Sequence, residues 1–189
     1  RVDAAAGLSE AVTAQMGRLM MGSASLEVAV TPLSRAEWTV AGPSSVELMY
    51  RPGEGMAPRP LRKVASGGEV SRVTLACKVV LGDADEVETL VFDEVDAGVG
   101  GTTAVALAQV LADLAESHQV VCVTHLPQVA VAGDAHFVVR KVEGPDGVPE
   151  TRIDEVEGEE RVAEIARMLA GDESEASLAH ARELLAARG

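Results

Sequence analysis

The spacing of apolar residues near the start of the chain predicts a helix followed by strands. From Leu8 to Leu19 an apolar side chain recurs every three or four residues, which predicts an amphipathic helix over residues 3–21 that ends at Gly22. Alternation of apolar and polar residues then predicts three antiparallel strands, at residues 26–30, 38–40 and 46–50. The segment 51–62 is rich in Pro and Gly and is predicted to be a loop.

Farther along the chain, helical and strand patterns alternate. In the middle of the chain the apolar pattern predicts a helix, a buried strand, a second helix and a second buried strand, over residues 68–81, 88–92, 102–115 and 119–124 in that order. The buried face of the first of these helices is expected to include Val70, Val73 and Cys77, and that of the second Val105, Ala108, Leu111 and Leu114. The last third predicts a short helix, a hairpin and two helices, over residues 126–132, 137–142 with 151–156, 159–170 and 174–187. Gly171 is expected to cap the first of the two final helices and Ser174 to begin the second. Strand–helix–strand order implies a parallel α/β layer, with a smaller antiparallel region beside it.

The composition fits one globular α/β domain of 189 residues. Hydrophobic residues make up 47% and aromatic residues only 2%, so the core must consist of Val, Leu and Ala, which favours helices packed on a buried sheet. No apolar run approaches the length of a membrane span and no signal-peptide pattern opens the chain, so no membrane partner is expected. Cys77 and Cys122 lack metal-ligand spacing and are expected to be buried free thiols, in keeping with a cytoplasmic setting.

The formal net charge of −14 restricts the partners of this segment. Such a surface repels nucleic acid unless basic residues cluster, and the only lysines are Lys63, Lys78 and Lys141. Non-specific DNA binding by this segment alone is therefore not expected.

Two adjacent acids, Asp93 and Glu94, follow the apolar strand Leu90-Val91-Phe92. They are expected at the carboxyl end of that strand, where ligands bind in α/β sheets. Hydrolysis of a nucleoside triphosphate needs a carboxylate near Mg²⁺ and a group that orients or deprotonates the attacking water, and adjacent acids can divide these tasks. The alternative is that two acids simply end a strand in solvent.

The run Ser66-Gly67-Gly68-Glu69 precedes the predicted helix over residues 68–81. Glycines let backbone N–H groups approach an anion, the helix adds the positive end of its dipole, and Ser66 can add a hydroxyl donor. An ordinary glycine turn before a helix is the alternative. His125 follows the next predicted strand on the same sheet edge, where its imidazole could hydrogen-bond a terminal phosphate or could merely cap the strand.

The order of these features resembles the C-terminal half of an ATP-binding-cassette head of the structural-maintenance-of-chromosomes type. Ser66 to Glu69 match the signature motif of that family, and Leu90 to Glu94 match its Walker B strand. Asp96 to Gly101 match the loop that follows Walker B, and His125 matches the switch histidine. The resemblance implies the C-terminal lobe of a P-loop ATPase head, with a parallel sheet flanked by helices and additional antiparallel strands.

The resemblance also assigns roles, with ATP and Mg²⁺ as cofactors. Asp93 would hold the metal, while Glu94 and His125 would be catalytic residues for the nucleotide of this chain's own head. Ser66 to Glu69 and Asp96 would be nucleotide-binding residues, with the signature motif reaching the γ-phosphate held by the opposite head. ATP binding would thereby join two heads as a homodimer, and hydrolysis would release them.

Longer stretches around these motifs resemble the DNA double-strand-break repair members of the family, over residues 63–72, 92–101, 123–130 and 161–169. A nucleoid-associated protein that engages DNA through its full-length form is implied. Three positions depart from patterns common in the wider family. Many transporter-type cassettes have Leu in place of Ala65 and Gln in place of Glu69, and the loop after Walker B commonly has Asp in place of Gly100. A cross-dimer role of the loop after Walker B would therefore rest on Asp96 and on backbone groups.

The sequence has no phosphate-binding loop of the form Gly-x4-Gly-Lys-Ser/Thr, because none of its lysines follows a glycine. In the family that loop lies in an N-terminal lobe beyond a coiled coil. Residues 1–22 are therefore expected to be the end of that coil or a connecting helix, and residues 23–189 the C-terminal lobe. The chain alone is expected not to hydrolyse ATP.

Three alternatives compete with this hypothesis. Asp93 to Asp96 also fit the Asp-Glu-x-Asp box of helicases, but the other helicase motifs are missing from the sequence and the Ser-Gly-Gly-Glu run is left unexplained. The chain could be a non-catalytic dimerisation or scaffold module. It could also belong to another ATPase head of the chromosome-maintenance type.

Overall fold

A computed structural model describes residues 1–64, 66–84 and 86–188, apart from the side chains of Asp83 and Pro145. Ala65, at the first position of the glycine-rich turn, lies outside the described residues. The chain forms two compact units, Arg1–Val123 and Thr124–Gly189. Among the described residues, no helix has both the length and the apolar character needed to cross a membrane.

The described residues of the first unit form three α-helices and five strands, besides short 3-10 turns. The helices are α1 (Val2–Arg18), α2 (Gly67–Leu81) and α3 (Gly101–Ala115). The strands are β1 (Ser25–Pro32), β2 (Ser44–Arg51), β3 (Arg59–Pro60), β4 (Thr89–Phe92) and β5 (Gln119–Cys122). All the predicted helices of this unit are confirmed to within a few residues, and so are the strands except the one expected at residues 38–40.

The antiparallel part of this unit packs against α1. Strands β1 and β2 pair along their whole length, with Leu26 opposite Tyr50, and both side chains are buried. Helix α1 lies against β1 and α2, and it buries Val12 and Met16 as its apolar spacing predicts.

The strand predicted at residues 38–40 is wrong. Ser34 and Glu37 form a reciprocal capping box that closes a 3-10 turn over Arg35–Glu37, and this turn takes the chain out of extended pairing. Trp38 is 55% exposed and its indole N–H donates to the Leu33 carbonyl at 3.3 Å. The segment 51–62 was predicted to be a loop throughout, but it includes β3, which pairs with β2.

Strands β4 and β5 form the predicted parallel layer, with Val91 opposite Val121. Both strands are expected to be buried, but this holds for only one face of the layer. On the other face Val91 is 67% exposed and Val121 is 45% exposed. The predicted buried face of α3 is confirmed at Ala108, Leu111 and Leu114, whereas Val105 is exposed. On α2, Val73 is buried as predicted and Val70 is half-buried.

The second unit is built as predicted. Its elements are α4 (Pro127–Ala132), β6 (Phe137–Glu143), β7 (Pro149–Glu155), α5 (Gly158–Ala170) and α6 (Glu175–Ala186). Gly171 ends α5 at φ 78°, and the Ser174 hydroxyl accepts a bond from the Ser177 N–H at the start of α6. Ile165 and Ala181 are fully buried where α5 meets α6.

Arg161, on α5, holds the carboxyl end of α4 and the turn that follows it. Its guanidinium donates to the carbonyls of Ala130 at 3.1 Å and Gly133 at 2.5 Å, and also reaches those of Val131 and Asp134. These carbonyls include acceptors left without partners where the short helix ends. One side chain therefore joins α4 to α5.

Replacing Arg161 with Met should destabilise the second unit by about 2–3 kcal/mol, because it removes several charge-assisted hydrogen bonds to carbonyls. The matched control is Arg182→Met, which removes only an exposed ion pair to Glu159 and should leave stability near that of the unmodified chain. Urea unfolding followed by far-UV circular dichroism and amide exchange over residues 127–170 would measure both. Equal effects of the two changes would contradict the capping role.

Candidate functional site

The acid pair lies where the sequence predicts, at the carboxyl end of β4. Asp93 and Glu94 are both exposed, and Asp93 Oδ1 accepts a hydrogen bond from the Glu94 N–H at 2.9 Å. Glu94 has φ 56°, in the left-handed region that side chains other than glycine seldom adopt. The backbone therefore turns sharply at the second acid, and such strain is typical of functional positions.

After Glu94 the chain turns back into the protein. Val95 and Asp96 are buried, and the Val99 N–H donates to the Asp96 carbonyl at 3.0 Å. Burial raises the pKa of the Cys122 thiol to about 12, with further contributions from the charges of Asp96 and Asp93. The negative charges of Asp96 and Asp93 therefore disfavour the thiolate form of Cys122, the last residue of β5.

The glycine-rich turn forms the N-terminus of α2. Ser66 is the N-cap residue, and its hydroxyl accepts a bond from the Glu69 N–H at 3.3 Å. Ser66 and Gly67 are exposed, whereas Gly68 is buried. The exposed part of the turn has the geometry that anion-binding helix ends share.

The fold brings this turn and the acid pair together. A Cβ on Gly67 would lie 2.5 Å from Glu94 Oε2, and a Cβ on Gly68 would lie 2.9 Å from the Ala97 Cβ. The first two glycines of α2 thus allow its N-terminus to approach the loop that follows β4. Gly67 and Glu94 therefore lie side by side, and Ser66, Gly67, Asp93 and Glu94 are all exposed on the first unit.

Glu69 points away from this exposed surface and toward the core. Its Oε1 accepts a hydrogen bond from the Tyr50 hydroxyl at 3.2 Å. Burial of Tyr50, which is only 2% exposed, raises its pKa to about 12, and the charge and hydrogen bond of Glu69 add to the shift. Glu69 therefore ties α2 to β2.

His125 belongs to the second unit, where it is exposed. It lies just before α4, and the neighbouring Leu126 N–H donates to Thr124 Oγ1 at 3.0 Å. Its predicted role at the nucleotide stays a prediction.

Sequence reasoning missed the contacts of Ser71 and Arg72. The Ser71 hydroxyl donates to the Asp93 carbonyl at 3.0 Å, and Arg72 Nη1 donates to the carbonyls of Val95 at 3.2 Å and Ala97 at 2.9 Å. A signal was present, because Arg72 lies four residues after Gly68 and therefore on the same face of the helix.

Comparison with known proteins identifies close relatives. The chain is 49% identical to the DNA repair protein RecN of Streptomyces coelicolor over 197 residues, covering 98% of this chain and 34% of that protein. It is 46% identical to RecN of Mycobacterium leprae over 204 residues, with the same coverages. This chain is a homologue of part of RecN. It spans about a third of the length of these RecN relatives. No protein-family model matches it.

Solved structures place this RecN homologue in the fold of Smc head domains. An Smc head with a coiled coil and joint from Pyrococcus yayanosii superposes with a TM-score of 0.59 and 18% identity, covering 84% of this chain and 28% of that chain. An Smc head with an extended coiled coil from Pyrococcus furiosus, bound to the C-terminal domain of ScpA, gives a TM-score of 0.55 and 19% identity, covering 79% and 34%. The fold class expected from the sequence is thereby confirmed.

Gly68→Ala should destabilise the first unit of this RecN homologue by about 1–3 kcal/mol, because the new Cβ would meet the Ala97 side chain and backbone. Gly67→Ala is the matched control. Its Cβ would meet only the end of the flexible Glu94 side chain, so stability should change by less than about 1 kcal/mol. Urea unfolding would rank the two variants, and equal stability would refute the close packing at Gly68.

The only tyrosine of the chain permits a direct titration of the contact between Tyr50 and Glu69. Absorbance at the tyrosinate band should show a midpoint near 12 in the folded chain, compared with 10.0 for an unperturbed tyrosine in urea. Because the folded pKa is the higher one, the contribution of Tyr50 to stability is fully present below the unfolded value and is lost as pH rises through the folded value.

Glu69→Gln should move the Tyr50 midpoint downward without reaching the unfolded value, because burial is the largest cause of the shift. Glu27→Gln, at an exposed position on β1, is the control and should leave the midpoint unchanged. A folded chain in which Tyr50 titrates as in urea would contradict the contact.

Proposed function

We propose that this chain is the C-terminal lobe of an ATPase head in a DNA double-strand-break repair protein. ATP binding would join two heads, and hydrolysis would reset them. The observation that carries the proposal is the exposed acid pair directly after β4, beside the N-terminus of α2, where Ser66 and Gly67 are also exposed. Similarity to RecN and to Smc head domains supports it.

Each residue of the site has chemistry that suits its proposed role. Asp93 is an exposed carboxylate at a strand end, and Mg²⁺ is commonly held by one or two carboxylates together with waters and substrate phosphates. When bound, Mg²⁺ would neutralise charge on the phosphates of ATP. Glu94, directly after Asp93, would orient or deprotonate the attacking water. His125 would hydrogen-bond the terminal phosphate.

The turn at Ser66 would serve the nucleotide of the opposite head. The Ser66 hydroxyl and the N–H groups of Gly67 and Gly68 are donors at a helix N-terminus, which suits a γ-phosphate. The Glu69 carboxylate bonds Tyr50, so its contribution would be to fix the helix that presents these donors. Asp96 would contribute to the loop between the two heads.

A second lobe would complete the sheet and supply the P-loop. Parallel sheets are normally covered on both faces, and two strands alone are marginally stable. In the first unit, Val91 on β4, Val121 on β5 and Val123 directly after β5 are exposed, as they would be in an incomplete parallel sheet. Residues 1–22 would connect this lobe to a coiled coil. Because this segment carries a net charge of −14, DNA would bind elsewhere in the full-length protein. The full-length protein would act at the nucleoid in the cytoplasm.

The test is Glu94→Gln in a complete protein that carries this sequence together with the P-loop lobe. ATP binding should persist, ATP-dependent dimers should last longer, and hydrolysis should fall by about 10²–10⁴-fold, which is typical for loss of a general base. Glu116→Gln, an exposed change at the end of α3, is the control and should leave turnover unchanged.

Unchanged turnover in Glu94→Gln would rule out the proposed role of Glu94. ATP-independent dimers without hydrolysis in the unmodified protein would favour a scaffold module instead. The 189-residue chain alone should show no hydrolysis, since its sequence lacks the P-loop.

A further inference from the structure

The segment that carries the acid pair has little regular structure of its own. Between β4 and α3 the backbone is held by isolated turns, in which the Ala97 N–H donates to the Glu94 carbonyl and the Val99 N–H to the Asp96 carbonyl, both at 3.0 Å. Glu94 is in a left-handed conformation at φ 56°. A conformation of this kind persists only where surrounding contacts hold it.

Helix α2 supplies such contacts on both sides of Glu94. The Ser71 hydroxyl bonds the carbonyl of Asp93, the residue before Glu94. Arg72 bonds the carbonyl of Val95, the residue after it, and that of Ala97. Because Arg72 is charged, its two hydrogen bonds are stronger than bonds between neutral groups.

Gly68 makes the Arg72 contact possible. A Cβ on Gly68 would lie 3.0 Å from the Ala97 carbonyl oxygen and 3.2 Å from Arg72 Nη1. The missing side chain leaves the space in which the guanidinium and the Ala97 carbonyl meet. Gly68 and Arg72 therefore form one contact between α2 and the loop.

We propose that Arg72 is a positioning residue for ATP hydrolysis, which fixes the Glu94 carboxylate by tying the loop after β4 to α2. The inference rests on the proposed function of Glu94. Ser66 and Gly67 lie at the start of α2, the helix that carries Ser71 and Arg72. A ligand that displaces this turn would therefore also displace the two side chains that bond the backbone on either side of Glu94. Arg72 thereby connects the surface that would face the opposite head with the acid that serves this chain's own nucleotide.

The experiment compares Arg72→Met, Arg72→Lys and the control Arg182→Met in the complete protein with its P-loop lobe. Arg72→Met should lower kcat by about ten- to a hundredfold, since small misplacements of a reacting group have effects of this size. KM for ATP should stay within about twofold of that of the unmodified protein, because the groups that bind the nucleotide are unchanged. Arg72→Lys should recover part of kcat, because an ammonium can still donate to one of the two carbonyls. Arg182→Met, at an exposed ion pair, should match the unmodified protein.

Hydrogen exchange supplies a readout that does not depend on turnover. The Ala97 and Val99 amides should exchange faster in Arg72→Met than in Arg182→Met. Faster exchange with unchanged kcat would overturn the positioning role, and so would unchanged exchange. A parallel loss of kcat, ATP affinity and thermal stability, without recovery in Arg72→Lys, would indicate a general folding role and would also overturn it.

Failure of the proposed function gives a different result. If the unmodified complete protein hydrolyses no ATP, the ATPase proposal falls and the positioning role falls with it. Faster loop exchange in Arg72→Met would then still show that Arg72 holds the loop, which separates this outcome from a failure of the inference alone.

Discussion

The close approach of α2 to the loop after β4 is the constraint on which the candidate site depends. Gly68 has no side chain, so the Ala97 backbone can come within contact distance of the helix. That distance brings Arg72 to the Val95 and Ala97 carbonyls and Ser71 to the Asp93 carbonyl. Without this close approach, the acid pair and the glycine-rich turn would be two separate features of the surface. Because of it, they lie on one face of the first unit.

Helix α2 is also held in place on the side that faces β2. Glu69, in the first turn of α2, accepts a hydrogen bond from the buried Tyr50 hydroxyl, so the helix is held to β2 as well as to the loop. Part-buried polar pairs of this kind favour one arrangement over its neighbours, since a shift of the helix would remove the partner of the Tyr50 hydroxyl. A carboxylate expected to serve the ligand thus contributes to the rigidity of its surroundings.

The sequence predicted what local chemistry determines. The caps at Gly171 and Ser174 and the alternating pattern of β1 and β2 are confirmed, because each depends on residues close in the chain. The strand at Trp38 failed because the capping box formed by Ser34 and Glu37 competes locally with extended structure. The exposure of Val105 and the partners of Arg72 depend on contacts distant in sequence, where other positions or acceptors were equally available. Local patterns could not distinguish among them.

Exposure of the acid pair has a consequence for the proposed reaction. In bulk water a carboxylate gains little from its neighbours, whereas a closed site of low dielectric strengthens each electrostatic interaction and excludes stray water. Asp93 and Glu94 are exposed at the end of a strand whose outer face, at Val91, is also uncovered. The same assembly that buries the apolar sheet face would therefore change the environment of the carboxylates. Burial of the sheet by the P-loop lobe, and of the Ser66 turn by a second head, would couple hydrolysis to assembly through desolvation of the carboxylates. Arg72 would then keep Glu94 in place while its surroundings close.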